Sequence, residues 1–294
     1  MTKEIRERLQ RYGIRAKKGL GQNFLVDSNY IDKILRAAQL KEGAVVVEIG
    51  PGPATLTPFL AEAVGTSGKV IAIEVDSALQ ELLSDLARQY KQVEIHWQDA
   101  LQVDYDAVTK PYLPADESFA LVANLPYYIT TPIIMHLLEG KFNYSHLVVM
   151  VQKEVAERIV SPPGNKSYGA LSVAVQYYCQ AEIVTTVPPG AFVPAPKVSS
   201  AVLRLQRRAV APVELIDERL FFQIVRAAFN QRRKTLLNAL SALEHNISKA
   251  ELATMLTRLE IDPVRRGETL TLAEFARIAN ALVEERKKVL KLEK

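Results

Sequence analysis

The first 150 residues alternate short, β-rich apolar runs with stretches whose apolar positions recur at helical spacing, the pattern of a parallel sheet covered by helices. The runs predict strands over Val45–Ile49, Val70–Val75, Val93–Trp97, Phe119–Ala123 and His146–Val151. Helices are predicted near Tyr30–Gln39, Leu56–Ala63, Ala78–Arg88 and Pro132–Glu139. Continuous apolar runs such as VVVEI and LVVMV suit strands buried on both faces. The architecture they predict is a doubly wound α/β fold.

Beyond Gln152 the pattern changes to a helix, a break at Pro162–Gly164, a second helix through Tyr178 and the proline-rich loop VPPGAFVPAPKV. Ala201–Leu205 then reads as a strand closing the sheet, in an antiparallel edge hairpin with Ile183–Val187. From Arg207 onward no strand pattern recurs, and amphipathic stretches near Glu218–Phe229, Arg232–Leu243, Lys249–Leu259 and Leu272–Lys287 predict a small all-helical domain. A chain of 294 residues exceeds what one core usually supports, so two domains are expected, 1–207 and 208–294.

Charge adds a partner class. The net charge is +4, but residues 1–23 carry seven basic against two acidic groups, residues 24–200 twelve against nineteen, and residues 201–240 eight against three. An acidic body flanked by basic segments, the first of them expected to be mobile, suits a polyanion held at its edges. The single cysteine, Cys179, excludes an internal disulfide and a thiolate metal site, so a reducing cytoplasmic setting and no metal are expected. The longest uncharged stretch, Ser118–Leu138, reaches membrane-spanning length but carries Asn124, Pro126, Thr130, Thr131, Pro132 and His136, and reads as strand, turn and helix rather than a membrane span. His96, His136, His146 and His245 show no catalytic pairing and read as structural or surface residues.

Candidate chemistry sits at strand ends. VVVEI runs into GPGPATLT, where Gly50 and Gly52 let a ligand approach the backbone at a helix N-terminus. Glu74 ends the next strand, where a carboxylate accepts both hydroxyls of an adenosine ribose. Gln98, Asp99 and Ala100 end the third strand and offer a carboxylate to an adenine amine. A nucleoside cofactor follows. The nicotinamide alternative is disfavoured, because Thr55 stands where the dinucleotide fingerprint wants a third Gly or Ala.

The fourth strand ends in Asn124, Leu125, Pro126 and Tyr127. An exocyclic amine must localise its lone pair before it attacks a methyl group. The Asn124 side-chain carbonyl and the Leu125 or Pro126 main-chain carbonyl would hold its two hydrogens. Pro126 removes a competing N–H and Tyr127 offers a stacking face. Four such strand ends form one crevice.

KKGLGQNFLVD (Lys17–Asp27), EIGPG, the pair Glu74 and Asp76, DAL at Asp99–Leu101 and NLPY at Asn124–Tyr127 together resemble the ribosomal RNA adenine dimethyltransferase family. FVPAPKVSSAVLRL (Phe192–Leu205) and AFNQRRKTLLNAL (Ala228–Leu240) resemble its bacterial small-subunit branch, as against large-subunit enzymes conferring antibiotic resistance or assembly factors without catalysis. The resemblance implies a Rossmann-like fold and an S-adenosyl-L-methionine site at Asn23, Leu25, Gly50, Glu74, Asp99 and Asn124, beside the Gly52 and Ala100 read above. It further implies that Phe192 stacks the target adenine opposite Tyr127. The implied partner is small-subunit ribosomal RNA in the assembling 30S subunit, met by a monomer. Phosphate contacts are expected from Arg15, Lys17, Lys18, Arg207, Arg208, Arg232, Arg233 and Lys234. Two positions depart from the family pattern: Pro53-Ala54 follows GPG where Leu-Gly is common, and Tyr128 follows NLPY where Asn is common.

Overall fold

A computed structural model describes residues 2–243 and 247–292, which leaves His245 outside the described residues. Two compact units result, one of residues 1–157 with 180–207 and one of residues 158–179 with 208–294. A single cut at 207 therefore misses one exchange: residues 158–179, read from the sequence as part of the first domain, group with the second unit.

In chain order the elements are α1 (Thr2–Arg11), β1 (Phe24–Leu25), α2 (Ser28–Ala38), β2 (Val45–Ile49), α3 (Thr57–Val64), β3 (Lys69–Glu74), α4 (Gln80–Gln89), β4 (Val93–Trp97), α5 (Tyr105–Thr109), β5 (Phe119–Asn124), α6 (Thr130–Glu139) and β6 (Tyr144–Gln152). There follow α7 (Lys153–Val160), α8 (Ala170–Tyr178), β7 (Cys179–Val187), β8 (Phe192–Val193), β9 (Ser200–Arg207), α9 (Glu218–Asn230), α10 (Leu236–Leu240), α11 (Lys249–Arg258) and α12 (Leu272–Leu292).

The main sheet has the order β4-β3-β2-β5-β6-β9-β7. The first five strands run parallel and β9 pairs antiparallel with β6. Every residue of β2 is buried, as befits a central strand covered on both faces, and that includes the charged Glu48. The chain leaves β2 for β3 on one side and later returns to β5 on the other, so the strand order reverses between β2 and β5. Open α/β sheets bind ligands outside the strand C-termini at such a reversal.

The covering helices follow from their sequences. Asp27 caps α2 by accepting from the Asn29 N–H at 3.0 Å, and Ile31, Ile34 and Ala38 form its buried stripe. A second, two-stranded pairing joins β1 to β8, placing Leu25 opposite Phe192. The N-terminal segment is not a free arm: α1 buries Ile5, and Arg8 donates to the Pro53 and Ala54 carbonyls, both at 3.0 Å. His146 is buried with Nε2 2.7 Å from the Ala38 carbonyl, and burial pushes its pKa down.

In the second unit Asp217 caps α9, which buries Leu220, Phe221, Ile224, Val225 and Ala228. Ser248 and Glu251 form a reciprocal capping box on α11. The helix expected over 232–243 is confined to Leu236–Leu240, because Thr235 caps it by accepting from the Asn238 N–H.

Candidate active site

Gly50 and Gly52 follow β2 with φ of +68° and +56°, the left-handed region that glycine adopts without strain. A Cβ on Gly52 would lie 3.2 Å from the Phe24 ring, so the turn is closely covered by the N-terminal loop. Ala54 takes φ +59°, the left-handed region, and its carbonyl is one of the two held by Arg8.

Glu74, at the end of β3, is nearly buried. Its Oε1 accepts from the N–H groups of Val75 (2.9 Å) and Asp76 (2.8 Å), and its Oε2 from that of Gly52 (3.2 Å). Burial pushes its carboxyl above the usual range despite those three donors. Asp76 accepts from Lys17 Nζ at 2.6 Å, Gln22 Nε2 at 2.9 Å and the Ala78 N–H at 3.0 Å. Burial raises its pKa, but the donors outweigh burial and hold it below the ordinary value. Asp76 thereby ties down the loop that carries Asn23.

Asp99 keeps one oxygen on the Leu101 N–H at 2.9 Å, and the Ala100 carbonyl accepts from the Tyr105 hydroxyl at 2.8 Å. At the end of β5, Asn124 Nδ2 donates to the Asn23 carbonyl at 2.9 Å, while Asn23 Nδ2 donates to the Gly21 carbonyl at 3.0 Å. The Pro126 carbonyl already accepts from the Ile129 N–H and the Thr130 hydroxyl. Leu125 donates its N–H to Met150, and its carbonyl meets no donor among the described residues. Of the two carbonyls open to choice in the sequence, Leu125 is therefore the one left for an amine. The Tyr127 hydroxyl lies 2.6 Å from Ser200 Oγ, which fixes the ring.

Asn23, Gly50, Gly52, Glu74, Asp99, Ala100, Asn124, Leu125, Pro126 and Tyr127 line one cavity. Leu25 and Phe192 do not. Both sit in the β1–β8 pairing, 0% and 3% exposed, so the Phe192 ring has no open face for a base in this conformation and instead supports the loop through Leu25. Among the lining residues to which sequence reasoning gave no role are Glu48, Gln22 and Phe24, and Ser200, which holds the Tyr127 hydroxyl, was likewise missed. Glu48 lines the cavity at 1% exposure with Oε2 unpartnered among the described residues, and burial pushes its carboxyl up to about 8. The lone Glu within VVVEI hinted at it, since a charged residue in a fully buried strand needs a reason.

The expected phosphate contacts fare unevenly. Arg15 is exposed, Lys17 is paired with Asp76, and the Lys18 side chain lies outside the described residues. Arg207 donates to the Phe142 carbonyl at 2.6 Å, Arg208 to the Gln176 carbonyl at 3.0 Å, and Arg232 to the carbonyls of Lys166 and Tyr168, both at 2.8 Å. Arg233 and Lys234 are exposed and line a groove with Lys249.

The glycine turn, Glu74, Asp99 and the Asn-Leu-Pro-Tyr turn stand at the ends of β2, β3, β4 and β5 around one cavity, and the fold is that of a Rossmann-like S-adenosylmethionine-dependent methyltransferase. The residues fit that cofactor: the turn leaves backbone bare at Gly50, Asp99 keeps one oxygen without a donor among the described residues, and Glu48, whose Oε2 has no partner among them, lines the same cavity. The model of the ribosomal RNA adenine dimethylase family matches residues 13–284, and the chain belongs to that family. It is 49% identical over 284 residues to the ribosomal RNA small subunit methyltransferase A of Geobacillus thermodenitrificans, covering 96% of this chain and 95% of the relative. The Pelotomaculum thermopropionicum protein of the same name is 46% identical, over 95% and 96% of the two chains. Among solved structures, a dimethyladenosine transferase from Plasmodium falciparum superposes with a TM-score of 0.72 at 26% identity, covering 90% of this chain and 98% of that one. The 23S rRNA methyltransferase ErmE gives 0.65 at 25% identity, covering 89% and 100%.

Proposed function

We propose that this chain, acting in the cytoplasm, methylates the exocyclic N6 amines of two adjacent adenosines in the 3′-terminal hairpin of small-subunit ribosomal RNA, twice on each base, while the 30S subunit assembles. The observation that carries the reading is the pair of open acceptors, Asn124 Oδ1 and the Leu125 carbonyl, beside the fixed Tyr127 ring. When bound, S-adenosylmethionine supplies an activated methyl group. Glu74 and Gly52 would hold its ribose end, Asp99 and Ala100 its adenine, and Asn23 with Gly50 its methionyl end.

The target base must leave its stack to enter, which costs a few kcal/mol and least in a loop. Tyr127 then receives its face, and the two acceptors hold both amine hydrogens before the first transfer and one of them holds the single remaining hydrogen before the second, drawing the nitrogen toward sp³ geometry and exposing its lone pair; each transfer releases one N–H proton. Alignment of this kind is the protein's main contribution to rate. The small-subunit assignment is supported by the names of relatives 45–49% identical along nearly the whole chain. The test is incubation with labelled S-adenosylmethionine and undermethylated small subunits, followed by mapping of the label. Label on two adjacent adenosines near the 3′ end is expected; label absent there, or found only on large-subunit RNA, overturns the assignment.

A further inference from the structure

Tyr128 lies at the cavity and has no part in the reaction above. It lines the cavity, yet is 58% exposed. Its ring lies against Gly21, where φ is +60° and an added Cβ would come within 3.3 Å of Cδ1. The loop thus presents bare backbone to one side of the ring, and the rest of the ring is open to solvent. Its neighbour Tyr127 is half-buried with its hydroxyl fixed on Ser200. Two consecutive aromatic rings therefore differ in kind, one anchored within the site and one displayed at its edge.

We propose that Tyr128 is a second stacking platform, which receives the purine next to the target adenine while the target occupies the cavity. The inference rests on the reading of the substrate as adjacent adenosines. Extruding one base leaves its neighbour without a stacking partner on that side, and an exposed aromatic face replaces what is lost. Every base has a π-face, so the platform accepts either adenosine, unmethylated or already dimethylated, while the other enters. A side chain at this place that only packed on the loop would not need an aromatic ring, and one that only hydrogen-bonded would need the hydroxyl. Stacking needs neither Gly21 contact nor hydroxyl, only the ring.

The variants Tyr128→Ala, Tyr128→Leu and Tyr128→Phe separate these roles. Steady-state methylation of undermethylated small subunits at saturating cofactor gives KM for the subunit, and calorimetry gives Kd for S-adenosylmethionine. Loss of one base–aromatic stack predicts a KM raised by roughly five- to a hundredfold for Ala and Leu. Phe is expected within twofold of wild type, and cofactor Kd unchanged in all three. Leu at the wild-type KM would make the residue a packing element, and Phe as impaired as Ala would make the hydroxyl the active group; either overturns the proposal. A cofactor Kd weakened in step with KM overturns it too, by placing Tyr128 in the cofactor site. Wild-type protein that leaves adjacent small-subunit adenosines unlabelled instead overturns the substrate reading beneath it.

Discussion

Asn124 Nδ2 donates to the main-chain carbonyl of Asn23 at 2.9 Å, so the end of β5 is locked to the loop that lines the same cavity. The bond orients the amide and leaves Oδ1 open, the atom assigned above to the substrate amine. It also couples the two halves of the site, since the loop is itself tied to Asp76 through Lys17 and Gln22.

Asp99→Ala removes the acceptor assigned to the adenine amine. Loss of a hydrogen bond to a charged group costs roughly 1.5 to 3 kcal/mol, so S-adenosylmethionine should bind tenfold to a hundredfold more weakly by calorimetry. Unchanged affinity would mean that Asp99 does not face the cofactor.

Ala54→Gly should raise the thermal midpoint. Ala54 holds φ +59°, a conformation costing a residue with a Cβ roughly 1–2 kcal/mol, part of which glycine returns as unfolded-chain entropy. A net gain of about 1 kcal/mol or less is expected, and a lowered midpoint would show that the turn is not strained.

Glu48 links the cavity to pH. Burial pushes its carboxyl up to about 8 in the folded state, against an ordinary value of 4.5 in the unfolded chain, so between those values the folded state holds the extra proton. Stability contributed by the protonated form is full below about 4.5 and is lost as pH rises through about 8, with a slope near 1.4 kcal/mol per pH unit in that window. Without cofactor, Glu48→Gln should abolish this slope, gaining on wild type steadily from pH 5 to 8 in urea titrations. Parallel curves for the two proteins would contradict the assignment.

Most of the sheet was legible because its information is local. VVVEI and LVVMV are dominated by apolar residues, and β2 and β6 lie where those runs stand. The four strand ends carried the site for the same reason. What escaped depends on distant partners: β1 and β8 are two residues each and exist only through one another, so neither has a period to read. The basic segment 1–23 reads as mobile, whereas the decisive contacts of α1 are one buried isoleucine and one arginine on carbonyls of the glycine turn. Phe192 was assigned by motif to a base-stacking role, and its depth in the core could only come from the pairing with Leu25.

The basic cluster divides by its partners. Arg232 spends its guanidinium on two carbonyls, while Arg233 and Lys234 are exposed. The double variant Arg233→Ala with Lys234→Ala should reduce the salt slope of subunit binding by about two and leave cofactor affinity unchanged. Arg232→Ala should instead lower the thermal midpoint with little change in slope. An unchanged slope in the double variant would make the cluster a solvated surface.

The central claim is that Asn124 aligns the attacking amine. Single-turnover methylation of undermethylated small subunits by Asn124→Ala, at saturating cofactor and subunit, separates that step from binding. A fall of a hundredfold or more is predicted, the scale on which misplacement by about 1 Å acts, with subunit affinity close to wild type. A rate within a few-fold of wild type under those conditions would reduce Asn124 to a turn residue and contradict the site as described.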